Sequence, residues 1–541
     1  MTAIFDNLSA NQNFPLPLGE PPTPSATAGR ARSPRRSVSG GGRLQKPGLS
    51  APAKQLPQAR WRAKPLVFAG EGFKPKDNLF LLATPPLTPP PRGGEFSFAK
   101  LRGFSSLFIF PLFLILAFFA QPAHALLKVD VTQGVVEPIP IAISPFLGRD
   151  GNAAKAAENL VQVISQDLER SGLFAPLDPH SFVQDSESLQ ASPRFADWRV
   201  INAQALVSGV VVPQSDGRLR VEFRLWDIFA EQQMTGMAYF TVPQNWRRIA
   251  HIIADAIYKR ITGEDGYFDT RIVYISESGP ENHRMKRLSI MDQDGANHRF
   301  LTDGRTLILT PRFSPTLQEI TYLAYYNNRP RVYLFNIDSG RQEALGDFPG
   351  MTFAPRFSPD GKKVIFSLIE QGGDSNIFVM DLRTRQVSRL TNHPSINTAP
   401  SFSPNGGQIT FESDRGGSQQ VYVMDASGGN LHRITFGSGK YGTPVWSPRG
   451  DYIAFTKQSG GEFSIGIMRP DGSGERILTS AFHAEGPTWA PNGRVLIYFK
   501  ERPGAGGKTS RLYSIDITGH NERELVTPLD GSDPAWSPLI P

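Results

Sequence analysis

Cysteine is missing from this chain of 541 residues, which excludes disulfide bonds and all thiol chemistry. The nine histidines are scattered, and no His-x-x-x-His pair lies on a predicted helix, so the sequence gives no sign of a helical zinc site. No Gly-x-Ser-x-Gly sequence occurs, which argues against the nucleophile elbow of an α/β-hydrolase. From these absences we expect no cofactor and no metal, and the alternative is a single bound calcium ion.

A phosphate-binding loop is only partly present. The segment Gly504–Thr509 ends like such a loop, but Arg502 stands where the first glycine is required. The segment also joins two predicted strands, with no helix N-terminus to face a phosphate. A flexible hairpin loop is the prediction here.

The positive charge of the chain, +7 overall, is unevenly distributed. Residues 1–125 hold 15 Lys and Arg against 5 Asp and Glu, whereas the remainder holds 42 against 45. The part that is predicted to fold is thus slightly acidic. We expect no nucleic-acid partner, because such a partner requires a basic surface that follows the phosphates.

A five-residue phrase, Pro-x-Phe/Trp-Ser/Ala-Pro, occurs six times, and successive copies begin 44, 45, 44, 43 and 47 residues apart. The copies are Pro311–Pro315, Pro355–Pro359, Pro400–Pro404, Pro444–Pro448, Pro487–Pro491 and Pro534–Pro538. A period of this length in a β-rich sequence predicts the blades of a β-propeller.

One period contains the four strands of a blade. Ser401–Ser403 predicts a short first strand, Gln408–Ser413 and Gln420–Asp425 predict the second and third, and Leu431–Thr435 predicts the fourth. Gly, Pro, Asn and Asp residues separate them and favour turns. Prolines are expected at the ends of the first strand, where no ladder donor is lost.

The two ends of the repeat region complement each other. Residues 271–302 predict three strands with no phrase before them, and the last phrase has no strands after it. Placing Ala535–Ser537 in the blade that begins at Arg271 gives six blades and removes the open edges. We therefore predict an α/β N-terminal domain followed by an all-β six-bladed propeller, residues 271–541, closed by the C-terminal strand. The alternative is an open β-solenoid.

The segments of the N-terminal part follow one another in the order that is typical of an exported protein. Residues 1–96 have no helix or strand period and are rich in Pro, Gly, Ser, Ala and Arg, which predicts a disordered extension. Residues 97–125 resemble a secretory signal peptide, with basic residues, an apolar run and a cleavage site formed by Ala123 and Ala125. We expect a mature protein that lacks residues 1–96, starts at Leu126 and does not insert into a membrane. The alternative is that the apolar run remains as an anchor.

Residues 126–263 predict an α/β domain. Apolar residues from Ala157 to Leu168 follow a helical period that ends near Gly172, and a second helix is predicted between Pro243 and Gly263. Ala205–Val212 predicts an apolar strand, and the next strand alternates apolar and charged residues. Residues 264–270 form a short linker into the propeller.

Six segments that precede the innermost strands are expected to surround one end of the propeller channel as loops. They are Leu309–Thr310, Met351–Ala354, Ile396–Ala399, Lys440–Thr443, His483–Gly486 and Asp530–Asp533. Convergent loops on a rigid ring form a natural recognition surface. The alternative is that these residues only shape the crossovers between blades.

The repeat Phe411–Asp425, the sequence Phe357–Gly361 and the ending Pro534–Pro538 resemble the TolB family, the periplasmic proteins of the Tol-Pal system. The resemblance covers everything except residues 1–96. It implies a non-enzymatic protein of the periplasm that supports outer-membrane integrity and invagination during cell division. The alternative is a channel-mouth enzyme, lactonase-like or peptidase-like, with a metal at the channel floor.

The resemblance also implies two partners. The lipoprotein Pal is expected at the propeller mouth, where family positions that affect this partner fall at Met351, Ala354 and Thr398. The full set that we expect to contact Pal is Met351, Thr352, Ala354, Asn397, Thr398, Tyr441, Thr443, His483 and Glu485. TolA is expected to pair with the mature N-terminus by strand addition, through Leu126, Leu127, Lys128, Val129, Asp130 and Val131. That segment could instead be an edge strand of the α/β domain.

Overall fold

The computed structural model describes residue 127 and residues 137–326, 329–346, 348, 350–370, 372–504 and 507–541. The predictions for residues 1–96, for the signal peptide with Ala123 and Ala125, for Leu126 and for residues 128–131 lie outside the described residues. Among the helices that are described, none combines the length and the apolar character needed to span a bilayer.

The first folded region is an α/β unit. Its helices are α1 (Gly151–Arg170), α2 (Ser186–Ala191), α3 (Phe195–Val200) and α4 (Trp246–Thr262), with 3-10 helices at Pro179–Ser181 and Pro243–Asn245. Its strands are β1 (Ile139–Ile143), β2 (Leu147–Gly148), β3 (Phe174–Pro176), β4 (Ala205–Pro213), β5 (Leu219–Asp227) and β6 (Gln232–Thr241).

Both predicted long helices are present, and their ends have clear causes. Asp150 caps α1, because its Oδ1 accepts a hydrogen bond from the N–H of Ala153 at 2.6 Å. Gly263 ends α4 in the left-handed conformation, with φ of 78°, where a side chain would be strained. Most of the apolar residues predicted to line one face of each helix are buried, and Val161, Trp246, Ile252 and Ala256 pack partly buried against the same core.

The sheet of the α/β unit has the order β3-β1-β4-β5-β6, with β2 paired to the far end of β4. Strand β1 is parallel to both its neighbours, and β4, β5 and β6 are antiparallel. Helices α1 and α4 cover one face, where Leu160 and Ile253 join Val221 in one core. Helices α2 and α3 cover the other face, where Leu189 and Trp198 pack with Leu206.

The second region is a six-bladed propeller. In order from the innermost strand outwards, blade 1 is β10 to β13, blade 2 is β14 to β17, blade 3 is β18 to β21, blade 4 is β22 to β25, blade 5 is β26 to β29, and blade 6 is β30, β7, β8 and β9. The strands are β7 (Arg271–Ser278), β8 (Met285–Asp292), β9 (Arg299–Phe300), β10 (Ile308–Phe313), β11 (Glu319–Tyr326), β12 (Arg329–Asn336), β13 (Gln342–Ala344), β14 (Met351–Phe357), β15 (Lys363–Ile369), β16 (Ser375–Asp381), β17 (Val387–Arg389), β18 (Asn397–Phe402), β19 (Gln408–Ser413), β20 (Gln420–Asp425), β21 (His432–Arg433), β22 (Lys440–Trp446), β23 (Ile453–Ser459), β24 (Glu462–Met468), β25 (Arg476–Ala481), β26 (His483–Trp489), β27 (Val495–Gly504), β28 (Gly507–Asp516), β29 (Arg523–Leu525) and β30 (Asp530–Trp536). A 3-10 helix, Glu281–His283, lies between β7 and β8.

The ring is closed by the C-terminal strand, as predicted. Strand β30 pairs with β7, so that Ala535 lies opposite Val273 and Trp536 opposite Ile272. Each innermost strand contacts the innermost strands of the two neighbouring blades all the way around the ring. The alternative of an open solenoid is therefore wrong.

The innermost strands are longer than predicted. In blade 3 the strand begins at Asn397 rather than Ser401, and Pro400 lies inside it. The missing N–H of the proline is accommodated by a bulge, because the register shifts between Thr398 and Ser401. Most residues of the six predicted mouth loops therefore lie in strands, and the prediction that they form loops was wrong.

The α/β unit contacts the turns at one end of the ring. Glu264 pairs with Arg494, which lies in the turn between the first and second strands of blade 5, at 2.6 Å. Asp167 accepts a hydrogen bond at 2.8 Å from Gln293, in the turn between the third and fourth strands of blade 6. Because neighbouring strands are antiparallel, both kinds of turn lie where the innermost strands finish. The innermost strands begin at the opposite end, away from the α/β unit.

Candidate functional site

The end of the ring where the innermost strands begin, here called the mouth, holds a belt of strained backbone. In every blade the residue before the first proline of the repeated phrase has positive φ, between 45° and 51° except for 71° at Gly486. These six residues, the strained belt, are Thr310, Ala354, Ala399, Thr443, Gly486 and Asp533. A bulge accompanies each of them.

The strained belt has an energetic meaning. A left-handed conformation at a residue with a side chain costs on the order of 1 kcal/mol, and such positions persist only where the surrounding structure enforces them. Five of the six belt residues are not glycine. Repetition of the same strain in every blade holds the innermost strands in one shape at this level of the ring.

Asn397 is fully buried and organises the crossover into blade 3. Its Nδ2 donates to the carbonyl of Ser375 at 2.9 Å, and its Oδ1 accepts from Ser413 Oγ at 2.8 Å and from Arg415 Nη2 at 2.6 Å. Each polar atom of the amide thus has a partner inside the protein. Asn397 positions the mouth rather than presenting a free group there.

Tyr441 and Thr443 are held in a similar way in blade 4. The buried Tyr441 donates its hydroxyl to Glu475 Oε2 at 2.9 Å, and Lys457 Nζ lies 4.7 Å from the centre of its ring. The backbone N–H of Thr443 donates to Glu412 Oε2 at 2.7 Å. Burial raises the pKa of Glu412 to about 7.

His483 lies between two carboxylates in blade 5. Its Nδ1 is 2.8 Å from Glu501 Oε2, and its Nε2 is 3.3 Å from Glu485 Oε2. Burial alone would lower the pKa of His483, but the hydrogen bonds to Glu485 and Glu501 raise it to about 9. The ring is therefore protonated at neutral pH.

The other predicted mouth residues divide by exposure. Met351 pairs with Ile369 and is partly exposed, as is Ala354 in the strained belt. Thr352 and Thr398 are each only 1% exposed. Of the nine predicted contacts with Pal, those that are not buried are Met351, Ala354 and Thr443.

Three exposed apolar side chains lie at the mouth, of which Ile396 belongs to a predicted mouth segment and the other two were missed. Leu307, Ile396 and Phe482 each come immediately before an innermost strand and are 43%, 37% and 56% exposed. We call these three residues the apolar rim. They belong to blades 1, 3 and 5, so they are spaced around the ring. Single exposed apolar residues are common on protein surfaces, so it is their shared position at one end of the ring that makes them candidates for an interface.

One group of potential metal ligands lies outside the channel. Asp167, His251 and Asp294 place ligand atoms within 4.8 Å of one another between the α/β unit and blade 6. Gln293 Nε2 already donates to Asp167 at 2.8 Å, and Arg247 forms an ion pair with Asp294. Both carboxylates of the group are thus occupied by protein donors, so the group serves as a hydrogen-bonded joint.

Of the six residues predicted to contact TolA, Leu127 is described. Its N–H donates to Asp227 Oδ2 at 2.8 Å, and its side chain packs against the core of the α/β unit. Asp227 is only 2% exposed, at the end of β5. The beginning of the predicted mature chain therefore touches the α/β unit at this point.

Comparison with known proteins gives the same picture in both regions. The family described as the TolB amino-terminal domain matches residues 127–234, and the TolB beta propeller domain matches residues 258–540. The Tol-Pal system protein TolB of Paramagnetospirillum magneticum is 62% identical over 440 residues, which cover 81% of this chain and 98% of that protein. The crystal structure of TolB from Acinetobacter baumannii matches with a TM-score of 0.67 at 29% identity, covering 76% of this chain and 100% of that one. The chain belongs to the TolB family.

Proposed function

We propose that this protein is a non-enzymatic periplasmic component of the Tol-Pal system. In this proposal the propeller mouth binds Pal, and the mature N-terminus, beginning at Leu126, binds TolA. The protein thereby supports outer-membrane integrity and the invagination of the envelope during division. Membership of the TolB family supports the assignment to the system.

The observation that carries the Pal site is the coincidence of the apolar rim and the strained belt at one end of a closed ring. Leu307, Ile396 and Phe482 offer apolar surface, while the belt behind them holds the wall in one shape. A rigid surface loses little entropy when it binds, which favours affinity. The mouth also faces away from the α/β unit, so that unit leaves it accessible.

The N-terminal site is supported by the position of Leu127, whose N–H donates to the Asp227 carboxylate and whose side chain packs against the core of the α/β unit. A hydrogen bond to a charged group contributes about 1.5–3 kcal/mol, which a ladder of new hydrogen bonds to TolA would offset. A released segment can add as a strand to the edge of a sheet in TolA. Release and capture then exchange the hydrogen bond to Asp227 for backbone hydrogen bonds to TolA.

The Pal site is tested with a matched pair of substitutions. Ile396→Ser removes apolar surface from the rim, whereas Ile477→Ser makes the same change on the outer strand β25, where Ile477 is 44% exposed. With purified mature protein and soluble Pal in calorimetry, we expect Ile396→Ser to weaken binding about tenfold and Ile477→Ser to leave it unchanged. Equal affinities of the two variants would overturn the assignment of the Pal site to this end.

The TolA site is tested by deleting residues 126–133. We expect the truncated protein to lose capture of TolA in a pull-down while it retains binding of Pal. Equal capture by the truncated and the mature protein would contradict the N-terminal site. N-terminal sequencing of the protein from cells tests the proposed removal of residues 1–125, and a mature chain that retains residues 1–96 would contradict it.

A further inference from the structure

Two arginines occupy equivalent places in consecutive blades. Arg312 in β10 and Arg356 in β14 each stand two residues after the strained-belt residue of their innermost strand. The corresponding residues of the other blades are uncharged: Ser401, Val445, Thr488 and Ala535. Positive charge at this level of the ring is therefore confined to blades 1 and 2.

The electrostatic contacts of Arg312 place its side chain in the channel. Its guanidinium interacts with Asp533 on β30 and with Glu485 on β26, and it repels the guanidinium of Arg356 on β14. These residues come from the innermost strands of four blades. The space that innermost strands of four blades share is the central channel of the ring.

Within the described residues, neither arginine forms an ion pair. Arg312 Nη1 donates to the carbonyl of Pro311 at 2.7 Å, and the side chain of Arg356 has no hydrogen-bond partner among the described residues. Burial, together with the charge of Arg312, lowers the pKa of Arg356 well below its usual value. Both side chains are only partly buried, and a guanidinium in such a place is stabilised when an anion joins it.

The acidic groups nearby have other partners. Glu412 accepts a hydrogen bond from the N–H of Thr443 at 2.7 Å, and Asp533 accepts one from the N–H of Thr310 at 3.4 Å. Glu485 lies 3.3 Å from His483. These three carboxylates are thus held on blades 3, 5 and 6, while the two guanidinium groups on blades 1 and 2 have no carboxylate within ion-pair distance among the described residues.

We propose that Arg312 and Arg356 form an anion-binding pair in the channel that receives a side-chain carboxylate from the protein docked at the mouth. The inference rests on the proposed function, which places Pal at this end. A guanidinium offers a planar fork of donors that matches a carboxylate, and a shared carboxylate would relieve the repulsion between the two arginines. The pair thus selects a partner that inserts an Asp or Glu into blades 1 and 2.

The first test compares Arg356→Gln and Arg312→Gln with Arg383→Gln. Arg383 is exposed in the turn between β16 and β17, at the far end of the ring, so its replacement changes the net charge equally. By calorimetry we expect each channel variant to bind soluble Pal about tenfold to a hundredfold more weakly, and Arg383→Gln to bind like the unaltered protein. Channel variants that bind as tightly as the control would overturn the pair.

Thermal unfolding separates binding from a structural role. Removing an unpaired, repelled guanidinium should leave the Tm of Arg356→Gln equal to or above that of the unaltered protein. A lower Tm would show that Arg356 supports the fold and would overturn the inference. The acidic residues of Pal are then neutralised one at a time. One of these changes should weaken binding to the unaltered protein but not to Arg356→Gln, and the absence of such a coupled residue would also overturn the inference.

Failure of the proposed function is distinguishable from failure of the pair. If the unaltered protein does not bind Pal, the partner assignment is wrong, and sodium acetate then probes the pair directly. Titrating acetate into protein labelled with nitrogen-15 arginine should shift side-chain Nε–H resonances in the unaltered protein but not in Arg356→Gln. Identical spectra in the two titrations would overturn the proposal that the two arginines bind an anion, whatever the partner is.

Discussion

Arg271 and Ser537 exchange two hydrogen bonds: the N–H of Arg271 donates to Ser537 Oγ at 2.8 Å, and the N–H of Ser537 donates to the carbonyl of Arg271 at 2.9 Å. The two residues are 266 positions apart in the chain. They stand at the start of β7 and just after β30, so this exchange fastens the first and last strands of the propeller together.

We expect Trp536→Ala to destabilise the protein by about 3–5 kcal/mol, because it opens a cavity where the ring closes. The indole is 8% exposed, and its Nε1–H donates to Thr270 Oγ1 at 2.8 Å. Urea unfolding measures the change in free energy. Leu539→Ala serves as the control, since Leu539 is 41% exposed, and a similar loss in both variants would show that closure does not depend on Trp536.

Reciprocal substitutions test the strained belt. Ala354→Gly should stabilise the protein by up to about 1 kcal/mol, because glycine adopts positive φ without strain. Gly486→Ala should destabilise it by a similar amount; its φ is 71°, and the added Cβ would lie no closer than 3.4 Å to Phe499. Both changes are measured by urea unfolding. Ala454→Gly, at the second residue of β23, should lower stability, and equal signs for Ala354→Gly and Ala454→Gly would contradict the strain.

The hydrogen-bonded joint formed by Asp167, His251 and Asp294 predicts that the stability of the protein depends on pH. Burial would lower the pKa of His251, but Asp167, 2.5 Å from its Nδ1, together with Asp294 and Asp292, raises it to about 9. A raised pKa stabilises the fold fully below the unfolded value of about 6.5, and this contribution is lost as the pH rises through 9. We expect a loss on the order of 3 kcal/mol from His251 across this window.

Unfolding in urea at a series of pH values measures this slope. His251→Gln should flatten the profile between about pH 6.5 and 9, leaving the part due to His483, whose pKa is also about 9. Replacement of the exposed His520 by Gln is the control and should keep the full slope. An unchanged profile in His251→Gln would show that the joint does not titrate in this range.

Glu264 lies in the segment between the two regions, and we expect its ion pairs to contribute to the free energy of unfolding. Its carboxylate binds Arg494 at 2.6 Å and Arg449 at 2.8 Å, and these arginines hold its pKa below the usual value although burial opposes this. We expect Glu264→Gln to destabilise the protein by about 1–3 kcal/mol, because two arginines lose a charged acceptor. The neighbouring Asp265→Asn, at a side chain that is 66% exposed, should cost little, and urea unfolding compares the two.

The architecture was predictable because it follows from periodic features of the sequence. The predicted strands Gln408–Ser413 and Gln420–Asp425 agree with β19 and β20, and the surplus phrase at Pro534 correctly indicated how the ring closes. Apolar alternation and turn residues recur in every blade, so each copy supports the others. A repeat therefore determines a fold more firmly than any single segment can.

The details of the mouth were not predictable for two physical reasons. Proline normally ends a strand, so the bulges that keep Pro400 and its equivalents inside strands were missed. The positive φ of Ala354 and Thr443 could not be predicted from the residue type, because alanine and threonine are not turn formers. A single apolar residue such as Phe482 has no period and is recognised only by its exposure. The pair of Arg312 and Arg356 was predictable in principle, since the repeated phrase carries arginine in two consecutive copies only.

The α/β unit and the mouth lie at opposite ends of the ring, and this separation bears on how two proteins could be held. A molecule seated at the mouth and one held by the α/β unit would contact different surfaces, because the depth of the blades lies between them. A coupling between the two ends through the protein would pass by way of contacts such as that between Gln293 and Asp167.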